Sequence, residues 1–245
     1  TLVGHFGRAI AIDKLLTKYS SSSLIRIFFP VMSSLQDQPE RFLRVYTRAL
    51  SIAAYLSTGL VGALLIAGPK LILFIYGHKW DPAVDIFKLT ILASLNVPIS
   101  AIMVNGILSM GRSKEIFKLG LLKKAVKLAT FIIAVFWGFK LFLLAYVAAS
   151  YMAAILNMVL AGTILTTNIW QHARIYVHGT LPLILAVIVA FAFPQSPLGI
   201  QLLLALCFIM VHLLYGLMTK HEGWKTVSSN AIGIARKART VFLVR

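Results

Sequence analysis

The chain has 245 residues, of which 59% are hydrophobic, and its mean hydropathy is +0.87. A soluble domain is about half apolar, so this composition excludes an ordinary soluble domain and indicates a membrane protein. Lys and Arg outnumber Asp and Glu by 24 to 7, for a net charge of +17, which suits an anionic membrane surface. A nucleic-acid partner is not expected, because such a binder must stay soluble.

Seven apolar segments are long enough to cross the roughly 30 Å hydrocarbon core as helices. These runs are too long, and alternate too little, for transmembrane strands. The sequence therefore predicts an all-α integral membrane bundle over residues 1–218, followed by a basic cytoplasmic tail over 219–245. In chain order the predicted spans lie near 2–32, 50–68, 86–110, 119–137, 141–165, 177–193 and 198–218.

The basic residues predict the orientation of this bundle. Connections on one side carry 15 Lys and Arg residues, and those on the other side carry 4. Positive loops stay in the cytoplasm, so the C-terminus is predicted to be cytoplasmic and Thr1 external. If the full protein starts in the cytoplasm, an external Thr1 implies that an odd number of spans precedes it. We therefore expect the chain to be the C-terminal part of a protein about twice as long.

The first predicted span carries three basic residues, Arg8, Lys14 and Lys18. Lys14 and Lys18 are four residues apart and share one helix face. A charge inside a bilayer is costly and usually faces a cavity or a partner. These residues therefore predict a cationic lining for an anionic substrate. The alternative is that Asp13 pairs with a base while Lys18 extends to the interface.

Polar residues and a proline interrupt the third predicted span. Asn96 and Ser100 are four residues apart on one face, and Pro98 frees a backbone carbonyl and allows a bend. This pattern predicts a hinged helix that lines a substrate path, with Asn96 and Ser100 as cavity residues. Ordinary hydrogen bonding between helices is the alternative.

The sequence contains no recognisable catalytic motif. The phosphate-binding GxxxxGKS/T, the HExxH zinc motif, the GxSxG nucleophile elbow and metal-ligand spacings of Cys and His are all missing. The few carboxylates lie mostly in loops and offer no acid–base pair. We therefore expect neither enzymatic activity nor a cofactor or metal.

The first half of the chain resembles polysaccharide-biosynthesis flippases of the multidrug/oligosaccharidyl-lipid/polysaccharide exporter superfamily. Three motifs carry the resemblance over about residues 4–128: a G-x-F-x-x-A helix start with a later Phe-Pro, an S-x-Q-D-x-P-E-R loop, and a Y-G-x-K-W-x-P-A turn. The pattern is most similar to the colanic-acid or exopolysaccharide type. The matching residues are Gly4, Phe6, Ala9, Phe29, Pro30, Ser34, Gln36, Asp37, Pro39, Glu40, Arg41, Tyr76, Gly77, Lys79, Trp80, Pro82 and Ala83.

This resemblance implies a transporter of two helical lobes around a central cavity, of which the chain forms most of the C-terminal lobe. The implied cargo is an undecaprenyl-diphosphate-linked oligosaccharide, turned across the bacterial inner membrane by alternating access. The implied partners are this lipid-linked substrate, membrane lipid and the missing N-terminal lobe. Without that lobe the chain is expected to be inactive.

Two other functions compete with flipping. A small-molecule efflux transporter of the same superfamily would be expected to have fewer basic and more acidic cavity residues. A non-catalytic scaffold or polymerase partner in polysaccharide synthesis would tolerate the loss of Lys14 and Lys18, whereas a flippase would lose surface polysaccharide.

Overall fold

A computed structural model of the chain describes residues 2–194, 196–222 and 224, with backbone alone for Leu2, Val3, Arg8 and residues 11–19. The tail beyond residue 224 lies outside the described residues. Within them the chain is mostly helical, without strands. The α-helices are α1 (Leu2–Ser34), α2 (Pro39–Tyr76), α3 (Asp81–Ser94), α4 (Asn96–Ser109), α5 (Ser113–Trp137), α6 (Phe139–Ile164), α7 (Ile169–Thr180), α8 (Leu183–Ala192) and α9 (Leu198–Met218).

Four helical segments of the described chain are long and apolar enough to cross a membrane: α2, α3 with α4, α6, and α9. The pair α7 and α8, bent by 40°, adds a fifth if the two helices form one broken span. These segments confirm the predicted all-α membrane bundle. α1 and α5, with 33 and 25 residues, are long enough to span but do not meet the same test of apolarity and charge. Seven crossings therefore stay a prediction.

α2 is the central helix and packs against α1, α3, α4, α7, α8 and α9. One apolar cluster surrounds its later half, around Leu65, and a second surrounds its first half, around Leu50. Small residues allow close approach: Gly62 receives the ring of Phe208 from α9, and Gly68 receives Phe87 from α3. Such small-residue contacts are typical of helix pairs in membranes.

α9 is polar inward and apolar outward. Its buried face includes Gln201 and His212, whereas Leu206 and Met210 are each 60% exposed. In water this pattern would be unfavourable, but in lipid the apolar side chains face hydrocarbon, and Gln201 and His212 each make a hydrogen bond inside the bundle. His212 Nε2, for example, lies 3.1 Å from the carbonyl oxygen of Tyr55.

Two short connections use glycines with positive φ, Gly77 (81°) and Gly138 (85°), a conformation that disfavours side chains. Gly138 alone separates α5 from α6. Between α3 and α4 only Leu95 interrupts the helix, and Pro98 lies in the first turn of α4. A proline there lacks only a donor that a helix start does not use. The interruption at Leu95 lies three residues before Pro98, and a hinge function for Pro98 stays a prediction.

Candidate anion-binding cavity

A cavity of about 380 Å³ lies between α4, α5 and α6. Three lysines from α5 form one wall, and small or amide side chains from α4 and α6 form the others. The lining residues are Asn96, Val97, Ser100, Gly120, Lys123, Lys124, Lys127, Ser150, Ala153 and Asn157.

The lysines reach this cavity because of their spacing along α5. Lys123 and Lys124 are adjacent, and each lies three or four residues from Gly120 and from Lys127, which places all four on one helix face. Lys123 is half-buried, while Lys124 and Lys127 are exposed. At about 1.5 Å per residue, Lys127 lies roughly 20 Å along the helix from Ser113, so the cationic face extends towards the middle of the predicted membrane.

Two lysines are held by neutral partners. Lys123 Nζ donates a hydrogen bond of 2.9 Å to Asn157 Oδ1 on α6. Lys127 Nζ lies 5.9 Å from the centre of the Tyr146 ring, within the range of a cation–π contact. Both contacts orient an ammonium group and leave its positive charge uncompensated.

Among the described residues no carboxylate forms an ion pair with these lysines. The sequence has no Asp or Glu between Glu115 and Glu222, so α6, α7, α8 and α9 carry none. In the described chain the ion pairs of Lys and Arg involve Arg44, Arg48, Lys88 and Arg112. Cations beside an apolar region favour an anion, and phosphate oxygens are strong acceptors for ammonium donors.

Asn96 connects the cavity to the packing of the bundle. It is 2% exposed, and its Nδ2 donates to Ser150 Oγ at 3.4 Å while its Oδ1 accepts from Tyr176 at 2.7 Å. Ser150 Oγ in turn donates to the carbonyl of Ala93 at 2.7 Å. Asn96 and Ser100 thus line one cavity, and the polar atoms of Asn96 also join α4, α6 and α7.

An apolar groove of about 350 Å³ lies on the other side of this contact. Leu95 and Tyr176, the sequence neighbour and the hydrogen-bond partner of Asn96, both line it. The cationic cavity and the apolar groove are therefore adjacent across α4 and α6. The groove lining is Leu95, Tyr151, Tyr176, Val177, Thr180, Leu181, Leu183, Ile184, Val187 and Ile188.

Asn96 and Ser100 both line the lysine cavity, and their role in substrate binding stays a prediction. Arg8, Lys14 and Lys18 belong to α1, but their side chains lie outside the described residues. Sequence reasoning missed the lysine wall, because it assigned Lys123 and Lys124 to the inner connection and Lys127 to a span. The spacing of Lys127 from the other two lysines, three and four residues, could have indicated that the lysines share a helix face.

Comparison with known proteins gives one match. Residues 1–85 match a family described as "Polysaccharide biosynthesis protein", whereas no curated protein and no solved structure matches the chain. The matched range includes α1, α2 and the start of α3 and ends before the lysine wall. The first third of this membrane bundle is therefore similar to polysaccharide biosynthesis proteins, which is consistent with a role in polysaccharide synthesis or export.

Proposed function

We propose that the protein is part of a flippase that moves undecaprenyl-diphosphate-linked oligosaccharide units across the bacterial inner membrane. The proposal rests on a cavity that is lined by three lysines and no carboxylate and lies beside an apolar groove. A lipid diphosphate has a strongly anionic head and a long apolar chain, and these two sites match its two parts. The match of residues 1–85 to polysaccharide biosynthesis proteins supports the same substrate class.

Each part of the substrate has a counterpart in the bundle. Lys123, Lys124 and Lys127 would offer ammonium donors to the diphosphate, and Ser100 and Asn157 would offer hydrogen bonds. The prenyl chain would lie in the groove beside Tyr176 and Val187. Transport needs no covalent step, because a shift between inward- and outward-facing states requires only different substrate contacts in each. These inward- and outward-facing states would require the N-terminal lobe.

The two alternatives make different demands. A scaffold needs no cationic cavity inside the bundle. An efflux pump for cationic drugs would place acids where this chain places lysines. Neither alternative function accounts for the three lysines of α5 that line the cavity.

The test replaces Lys123 and Lys127 together by glutamine in cells that depend on this protein for surface polysaccharide. Removing two charge-assisted contacts, each worth roughly 1.5–3 kcal/mol, should reduce polysaccharide output at least tenfold at normal protein level. The matched control replaces Lys114 and Lys118, two lysines of α5 outside the cavity lining. Equal output from both double variants would refute the proposal.

A further inference from the structure

A second charged site lies at the predicted cytoplasmic end of the bundle. A cleft of about 510 Å³ opens between the start of α2, the start of α7 and the segment after α9. Three arginines and one carboxylate line it, together with neutral hydrogen-bonding groups. The lining residues are Arg44, Thr47, Arg48, Ser51, Gln171, Arg174, Ile175 and Glu222.

Helix spacing makes the arginines converge. Arg44, Arg48 and Ser51 are separated by four and three residues and share one face of α2, and Gln171 and Arg174 share one face of α7. Both helices pack together, so guanidinium groups approach from two sides. Planar guanidinium groups bind phosphate oxygens in pairs, so this arrangement suits a phosphate better than a single point charge would.

The carboxylate of Glu222 in the cleft does not prevent an anion from binding there. Arg48 Nε lies 3.5 Å from Glu222 Oε2, and these side chains are 54% and 40% exposed. Exposed pairs of this kind contribute little stability, so a phosphate can share or replace the contact of Arg48 with Glu222. Arg174 has no ion pair among the described residues.

The surroundings of the cleft indicate a lipid rather than a free ion. One turn from Arg174 along α7, Trp170 is 76% exposed at a position where an aromatic ring suits the head-group region. At the same end of the bundle, Leu214 and Met218 of α9 are 53% and 83% exposed. A phospholipid with its phosphate in the cleft can therefore lay its acyl chains along these two helices.

We infer that this arginine cleft binds the head group of an anionic phospholipid of the inner leaflet. Basic pockets between transmembrane helices on the cytoplasmic side are suited to such head groups. One phosphate of the lipid then contacts α2, α7 and the segment that follows α9. This inference does not depend on the flippase proposal, because the cleft shares no lining residue with the lysine cavity.

The test measures lipid binding to the purified 245-residue chain in detergent by native mass spectrometry. Cardiolipin and phosphatidylglycerol should bind, and phosphatidylcholine should not compete with them. Replacing Arg48 and Arg174 by glutamine should weaken cardiolipin binding about thirtyfold, since each arginine near an anionic surface contributes roughly fivefold. Arg174→Lys alone should weaken it less, because it keeps the charge and loses the paired geometry.

The matched control is Arg112→Gln, which removes a basic residue at the same end that already pairs with Glu115 at 3.5 Å. It should leave cardiolipin binding within about twofold. A melting temperature equal to that of the unchanged chain verifies the fold of each variant. Equal losses in Arg112→Gln and Arg174→Gln would overturn the inference in favour of diffuse attraction. Displacement of cardiolipin by millimolar inorganic phosphate would overturn it in favour of a free-anion site.

Discussion

Asn157 gives the sharpest single-residue test of the lysine cavity. Its Oδ1 accepts from Lys123 Nζ at 2.9 Å, so Asn157→Asp places a carboxylate of nearly equal shape beside that ammonium group. Two opposite charges at about 4 Å attract by roughly 4 kcal/mol at an effective dielectric constant near 20, so Lys123 would be neutralised internally. We predict at least tenfold weaker binding of farnesyl diphosphate to the purified chain, measured by calorimetry.

The control for this substitution is Asn105→Asp, because Asn105 bonds to its own helix at Ala101 and lies outside the cavity lining. It should leave farnesyl diphosphate binding unchanged. If Asn157→Asp instead retains full affinity, Lys123 serves only packing between α5 and α6.

At the scale of elements, α7 packs closely against α2 at a glycine, Gly179. A Cβ atom on Gly179 would lie 2.6 Å from Cβ and 3.5 Å from Cα of Ala54, and the backbone of a helix cannot yield as a flexible side chain can. We predict that Gly179→Val destabilises the bundle by roughly 1–3 kcal/mol, seen as a lower thermal midpoint in detergent. Gly199→Ala, where nothing lies within 4 Å, should cost nothing. Equal midpoints for both variants would contradict this packing.

The segment after α9 is attached to α2 by His221. Its ring stacks on Tyr55 with centroids 5.0 Å apart, and its Nε2 lies 3.4 Å from Ser51 Oγ. Burial, followed by the nearby His178 and His212, lowers the pKa of His221 to about 4. Once detached, the ring titrates near 6.5.

This pKa difference predicts how the attachment depends on pH. Between pH 6.5 and 4 the detached state binds the additional proton, so the attachment loses stability as the pH falls through this range. We expect hydrogen exchange at residues 219–222 to accelerate from pH 7.5 to pH 5, after correction for the intrinsic rate. His221→Phe should remove most of this pH dependence. An unchanged dependence in that variant would assign it to another group.

For the whole molecule, the seven-crossing topology predicts that the two ends of α5 lie on opposite sides of the membrane. Arg112→Cys and Lys140→Cys, each in a Cys207→Ser background, should react with an impermeant maleimide from the cytoplasmic and external sides respectively. Labelling of both from one side would show that α5 does not cross and would contradict the seven-crossing topology.

Apolar runs with clear borders were predictable from the sequence, whereas contacts between helices were not. The span predicted at 198–218 coincides with α9, because Pro197 precedes it and polar residues follow it. The span predicted at 50–68 is only the middle of α2, since the helix begins earlier in an arginine-rich stretch and continues past Pro69 and Lys70 through the apolar residues 71–76. Lys123 and Lys127 were recognisable as charges near a span, but their common cavity depends on how α5 packs against α4 and α6, which periodicity within one helix does not determine.

The central claim is that the lysine wall recognises a lipid diphosphate. The most direct measurement compares binding of undecaprenyl diphosphate and undecaprenol to the purified chain, with and without Lys123→Gln and Lys127→Gln. We predict that the unchanged chain prefers the diphosphate by at least tenfold and that the double variant loses this preference while still binding undecaprenol. Equal binding of the two lipids by the unchanged chain, or a preference that survives in the double variant, would contradict the claim.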